Sequence, residues 1–284
     1  MIDMKEIVEK HNSKQLYEAN SSGGEVMTPT FCAISGGRTS GLMAHMLKGK
    51  PDHIFMFQNT GRERPETYDF LDRMDKEFGL NLVWMEYTCP DPKKKAGVKI
   101  VDYKTANRDG LPFEQLIDKR KAIPNKFKRF CTIEMKVKTA RRWIRSLGHT
   151  KWNYALGYRS DEARKTRSDT MQNTITPLRD KNITVRDVAE FWQKNSFDLK
   201  LPLLPNGKTF GGNCMGCFWH SEYQNAHLCA TRPKDADWLI RQEKRMGFTF
   251  NEDYSFEELS KKPADLLSHN EHYCTETNGS CGDF

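Results

Sequence analysis

From residue 28 onward, short apolar runs alternate with amphipathic ones. "TFCAI" (30–34), "HIFMFQ" (53–58) and "NLVWMEY" (81–87) are short, apolar and bounded by polar turns, which predicts strands. Between them, "SGLMAHMLK" (40–48) and "PETYDFLDRMDKEFG" (65–79) place apolar side chains at helical spacing. The second of these has Pro65 and Glu66 in its first turn and Gly79 just past its end, with Phe70, Leu71, Met74 and Phe78 facing a core. The order β-α-β-α-β predicts an α/β fold with a doubly wound parallel sheet.

The alternation continues less regularly. A helix is expected from Thr132 to Leu147, with Ile133, Val137, Ala140, Ile144 and Leu147 on its apolar face, and "WNYALGY" then returns to the sheet. "TVRDVAEFWQKN" opens with Thr184 and Asp187 at capping-box spacing and predicts one more helix. Residues 1–27 are polar and read as a lead-in ending in "NSSGGE"; residues 28–200 form the expected sheet domain; residues 201–284 are expected to be irregular and cysteine-rich.

No apolar run approaches the roughly 20 residues of a membrane span. The charged start "MIDMKEIVEKHNSK" suits neither a secretory nor a transit signal, so a cytoplasmic protein without a membrane partner is expected. In that compartment the eight cysteines are not expected to form disulfides, and the CxxC pair in "CMGC" (214–217) points to metal binding or redox chemistry. The net charge of +7 is unevenly spread. Residues 119–145 hold eleven Lys or Arg against Glu134 alone, while residues 251–284 hold eight acids against two lysines, which makes the basic segment a candidate anion site.

Between the first strand and helix lies Ser35-Gly36-Gly37-Arg38-Thr39-Ser40-Gly41. Glycines let backbone amides approach a phosphate, hydroxyls add donors, and a helix N-terminus adds positive potential. The plain alternative is a tight turn in which Thr39 or Ser40 caps the helix. The turn fits neither GxxxxGK[ST] nor GxGxxG.

It does resemble the PP-loop, SGGxDS, of the adenine nucleotide alpha-hydrolase superfamily. "NTGRERPETYDFLDRMDKEFGLNLVWME", "FCTIEMKVKTARRW", "GYRSDEARKTR" and "ITPLRDKNITVRDVAEFW" resemble, in order, further blocks of the phosphoadenosine phosphosulfate reductase family. The resemblance spans about residues 31–195 and implies an adenine-nucleotide site. Ser35, Gly36, Gly37, Arg38, Thr39 and Ser40 would hold phosphate and Thr60 and Gly61 would line the nucleotide pocket. Arg159, Arg164 and Arg167 would be cationic contacts, since guanidinium forks match phosphate or sulfate oxygens. Lys136, Arg159 and Arg164 would neutralise charge in catalysis. Thr39 and Asn59 stand where the family pattern has Asp, which removes two carboxylates that could hold magnesium and leaves Asp161 or Glu162 as replacements.

Cys214-x₂-Cys217, with Cys229 and the upstream Cys131, matches a thiolate set for an iron–sulfur cluster, expected as 4Fe-4S. Zinc held by Cys214, Cys217, Cys229 and His220 or His227 is the competing set. Cys32 and Cys89 flank strands and are expected in the core. Cys281-Gly282 resembles the nucleophilic cysteine of sulfonucleotide reductases, whose thiolate would need a cationic pocket.

Three functions follow from the resemblance. The first is splitting of ATP, with Mg²⁺, to adenylate an acceptor that then receives sulfur with the help of the cluster. The second is reduction of adenylyl sulfate or its 3′-phosphorylated form through Cys281, with thioredoxin or a similar thiol donor. The third is a nucleotide- or nucleic-acid-binding module without catalysis, using the basic helix with Phe127, Phe130 and Trp143 nearby. The sulfur donor, the thiol donor and a nucleic-acid acceptor are the corresponding partners.

Overall fold

The computed structural model describes residues 28–162, 173–204 and 208–262. In chain order its elements are β1 (Thr30–Ala33), α1 (Arg38–Leu47), β2 (His53–Asn59), α2 (Pro65–Phe78), β3 (Val83–Thr88), β4 (Gly97–Val101) and α3 (Leu111–Arg120). A π-helix (Thr132–Lys138) then runs into α4 (Thr139–Ser146), followed by β5 (Asn153–Ala155), β6 (Thr174–Ile175), α5 (Pro177–Asp180) and α6 (Val185–Gln193). The last three helices are α7 (Glu222–Thr231), α8 (Pro233–Met246) and α9 (Phe256–Ser260).

The strands form one sheet in the order β4-β3-β2-β1-β5-β6, all parallel except β4, which closes one edge antiparallel to β3. A strand buried on both faces must be apolar throughout. β1 is: Phe31 and Ala33 join the cluster with Met56, Trp143 and Ile144, while Cys32 joins the opposite cluster with Leu42, Leu71 and Trp192. The expected α/β doubly wound sheet is therefore present. The chain leaves β1 toward β2 on one side and later returns to its other side as β5. The crevice at the carboxyl ends of β1 and β5 is the topological switch point, the place where such sheets bind ligands.

Some elements differ from the sequence-based expectations. The helix from Thr132 begins with π-type turns, which carry more residues per turn and so shift the inward-facing positions. Met135, Ala140, Trp143 and Ile144 are buried, while Ile133, expected on the apolar face, is 50% exposed. Among the described residues beyond 200, the irregular stretch gives way to helices from Glu222 onward. Capping boxes at Ser221/Gln224 and Ser255/Glu258 start α7 and α9, and Gly247 at φ 69° stops α8. These helices share a core of Leu228, Cys229, Trp238, Leu239, Phe250 and Phe256 with Ile117 of α3. Among the described residues, no helix is long and apolar enough to cross a membrane.

Candidate functional site

The Ser35–Ser40 turn lies at the switch point, directly after β1. Gly36 has φ 83°, a left-handed conformation that a Cβ would strain, and that Cβ would lie 2.4 Å from Thr67 Cγ2. Ser40 Oγ accepts from the Ser35 amide (3.2 Å), lies 3.1 Å from Ser35 Oγ and donates to the Gly37 carbonyl (3.0 Å). The two serines thus brace the turn against itself. The first-turn amides of α1, from Arg38 to Ser40, have no intrahelical acceptor, as at any helix start. From the β5 side, Gly157 presses on this turn: a Cβ there would sit 3.2 Å from Ser40 Cα.

Arg38 lies in the turn but its side chain does not turn toward it. Its Nε and Nη2 form a two-pronged pair with Asp198 at 2.6 and 2.7 Å, and Nη2 also donates to the Leu199 carbonyl. The residue's side chain therefore ties α1 to the segment after α6. Arg159, after β5, does reach the turn, with Nη1 donating to Thr39 Oγ1 at 3.2 Å. It also pairs with Asp161 at 2.8 Å and Glu162 at 2.7 Å, the two alternatives named as replacement magnesium ligands. Arg164, Arg167 and Cys281 lie outside the described residues.

At the end of β2 a buried polar network supports the pocket wall. Asn59, fully buried, donates from Nδ2 to Glu86 Oε1 (2.7 Å) and to the Asn107 carbonyl (2.8 Å), while its Oδ1 accepts from Tyr68 OH (2.8 Å) and the Gly61 amide (3.0 Å). The amide donates twice and accepts twice here, whereas an ionised carboxylate could not donate to Glu86 and Asn107, which is a physical reason for Asn in place of Asp. Thr60 donates its amide and hydroxyl to Glu63, and burial beside Glu63 pushes the Tyr68 phenol up. Gly61, at φ 76°, packs too closely for a Cβ, which would lie 2.7 Å from Asn107 Oδ1. Thr60 and Gly61 therefore sit beside the crevice with their hydrogen bonds directed into this network. Asn59→Asp would set a second carboxylate against Glu86 and remove a donor, at a cost of about 2–4 kcal/mol near pH 7. Sharing a proton relieves the repulsion, so the loss should shrink as pH falls toward 5; denaturant melts at both pH values check this.

The cysteine-rich segment is zipped onto the same wall. The Arg64 amide donates to the Asn213 carbonyl (3.0 Å), the Met215 amide to the Arg62 carbonyl (2.7 Å), and Glu63 pairs with Cys214 in an antiparallel bridge. Asn213 Nδ2 also donates to the Ser35 carbonyl at 2.9 Å, joining this segment directly to the glycine turn. Gly216, at φ 68°, lets the CMGC turn press onto Leu239 of α8. Asn213, Glu63 and Asp198 are site-shaping residues that the sequence reading did not single out. The proximity of Asn213 to Cys214 was the one local signal.

The four expected metal cysteines are divided. Cys131 lies near Cys214 and Lys136: burial, with the Cys214 sulfur adding, pushes its thiol up to about 11, and Lys136 opposes this. Cys214 Sγ lies 4.0 Å from Glu63 Oε1. Cys229 instead sits on the inner side of α7, with Sγ 4.0 Å from the Phe256 carbonyl and its thiol also pushed up to about 11 by burial. His220, buried, is held down to about 3 by burial with Arg64 adding. Among the described residues, no three His, Cys, Asp or Glu side chains converge to hold a metal. Cys229, turned toward Phe256, is the member of either set that stands apart from Cys214. Cys32 and Cys89 are buried, as expected.

An α/β sheet with a glycine-and-hydroxyl turn at its switch point defines the nucleotide-binding class to which this geometry corresponds. The family model described as the phosphoadenosine phosphosulfate reductase domain matches residues 29–195, and the chain belongs to that family. Over 226 residues it is 25% identical to the uncharacterized nin region protein ORF290 of Escherichia phage lambda, covering 74% of this chain and 71% of that protein. The phosphate-bound phosphoadenylyl-sulfate (PAPS) reductase of Candida auris aligns with 15% identity and a TM-score of 0.43, over 70% of this chain and 90% of that one.

Proposed function

We propose that this chain binds an adenine nucleotide and acts as an enzyme of the sulfonucleotide-reductase kind. Its phosphate or sulfate oxygens would lie on the Ser35–Ser40 turn and the first amides of α1. The carrying observation is the 3.2 Å contact from Arg159 to Thr39. It brings a guanidinium from the β5 side onto the turn after β1, so amides and a fixed cation meet where an anion would sit.

Between the candidate substrates, the lack, among the described residues, of a free carboxylate for a metal beside the turn favours the sulfonucleotide. Magnesium-ATP needs carboxylates for the metal, yet position 39 is Thr, and Asp161 and Glu162 are engaged by Arg159. A phosphosulfate needs cations and amide donors alone. In the proposed reaction a thiolate, assigned by resemblance to Cys281, attacks the sulfate sulfur. An S–S bond forms, the S–O bond breaks, and the nucleotide leaves with the oxygen. A thiol of the donor protein then attacks the cysteine sulfur, releasing sulfite; a second donor thiol closes the donor's disulfide and frees the cysteine.

The ATP-splitting reading retains one supporting feature, the complete glycine-and-hydroxyl turn. Calorimetric titration with phosphoadenosine phosphosulfate, adenylyl sulfate and magnesium-ATP, with sulfite and pyrophosphate assays, separates the two. Sulfite release is expected; pyrophosphate release from ATP without sulfite would establish the other reading. Arg159→Ala should weaken the preferred nucleotide about 10- to 150-fold, the value of a hydrogen bond to a charged group. Unchanged affinity would remove Arg159 from the site.

A further inference from the structure

A second cleft, of about 400 Å³, opens between the loop following α3 and the loop following α8. One wall carries Lys121, Lys126, Phe127 and Lys128; Phe248 lies on the other and Phe218 is buried between. Phe127 is 75% and Phe248 59% exposed, the two most exposed large apolar side chains among the described residues. Scattered exposed apolar residues need no explanation, but both of these border one cavity that also holds three lysines.

The wall is shaped rather than loose. Asn125 Oδ1 accepts from the amides of Phe127 and Lys128 (3.1 and 2.9 Å), which fixes the turn presenting the ring. Lys126 Nζ lies 5.2 Å from the Phe127 ring centroid and pairs with Glu252, the one acid lining the cleft. Lys121 occupies a left-handed conformation, φ 47°, where glycine would sit without strain. The cleft is thus an aromatic platform in a positive field, and the basic segment 119–145 extends that field beyond it.

We propose that this cleft binds single-stranded nucleic acid, with unpaired bases stacked on Phe127 and Phe248 and phosphates held by Lys121 and Lys128. Base faces stack on aromatic rings without sequence preference, and lysines track a phosphodiester backbone. Paired bases have no free face for these rings, so a duplex is a poorer occupant. An apolar protein partner would have to desolvate the lysines without neutralising them. The inference goes beyond the nucleotide reading of the Ser35–Ser40 turn and does not depend on it.

The test is fluorescence anisotropy of the full chain with a labelled ten-nucleotide strand and its duplex, at 50 and 200 mM salt. The strand should bind more tightly than the duplex, and Phe127→Ala and Phe248→Ala should each weaken it about fivefold or more. Lys121→Gly should raise Tm by relaxing the backbone, yet reduce the salt slope by about 0.7. Failure to bind the strand, equal binding of duplex, insensitivity to both phenylalanine changes, or displacement by AMP at the strand's own concentration would each overturn the proposal. Nucleotide titration at the Ser35–Ser40 turn is read separately, so failure here leaves that result intact.

Discussion

Gly36→Ala is expected to abolish measurable nucleotide binding and to destabilise the fold by about 2–5 kcal/mol. Two effects add. Gly36 sits at φ 83°, where an alanine pays a backbone penalty, and the new methyl would lie 2.4 Å from Thr67 Cγ2 and 3.3 Å from Leu71 Cδ1. Thr67 and Leu71 are buried in α2 behind the turn, so they cannot swing clear. The strain is instead relieved by moving the turn, which displaces the amides that face the crevice. Thermal melts and calorimetry check both halves. Thr67→Ser removes the clashing methyl and keeps the hydroxyl, so the double variant should recover part of the stability but not the cost of the positive φ. Binding by Gly36→Ala at the affinity of the unsubstituted protein would show that the turn is not a phosphate site.

What the sequence disclosed about this region follows from how local each feature is. The turn, α2 with its Pro65 start and Gly79 stop, and the alternation around β1 are written in neighbouring residues, and they appear where expected. Side-chain commitments made at long range were not legible. Arg38 stands inside a phosphate-binding pattern, yet its partner is 160 positions away, so its direction could not be read from the pattern. The cysteines show the same limit. CxxC spacing marks a turn that can present two thiols, but only the packing of α7 decides that Cys229 faces Phe256 rather than Cys214. The π-type turns after Cys131 moved Ile133 outward because spacing rules assume 3.6 residues per turn. The cleft beside Phe127 and Phe248 joins segments more than a hundred residues apart; the basic segment with Phe127 was legible as a nucleic-acid candidate, whereas Phe248 on the facing loop carried no signal.

Asp198→Ala should lower stability by about 2–4 kcal/mol while leaving the nucleotide affinity of the folded protein within about threefold, because the pair with Arg38 is structural. The guanidinium is 7% exposed and its partner about a third exposed, which places the cost toward the lower end. Removing the carboxylate strands a cation whose remaining Nη2 acceptor is the Leu199 carbonyl. The companion variants distinguish this reading from one in which Arg38 holds phosphate. Arg38→Met with Asp198→Leu removes both charges and should recover most of the stability, since replacing a paired set by apolar groups avoids the stranded ion. If Arg38 were a phosphate ligand, the double variant would regain stability and still lose ten- to a hundredfold in nucleotide affinity. If the pair serves only to lock α1 against the segment after α6, the double variant should bind as the unsubstituted protein does. Arg159→Ala supplies the contrast, because it should lose affinity with the α1 tether intact. The two arginines flank the same turn, and this exchange of phenotypes is the sharpest measure of which one faces the ligand.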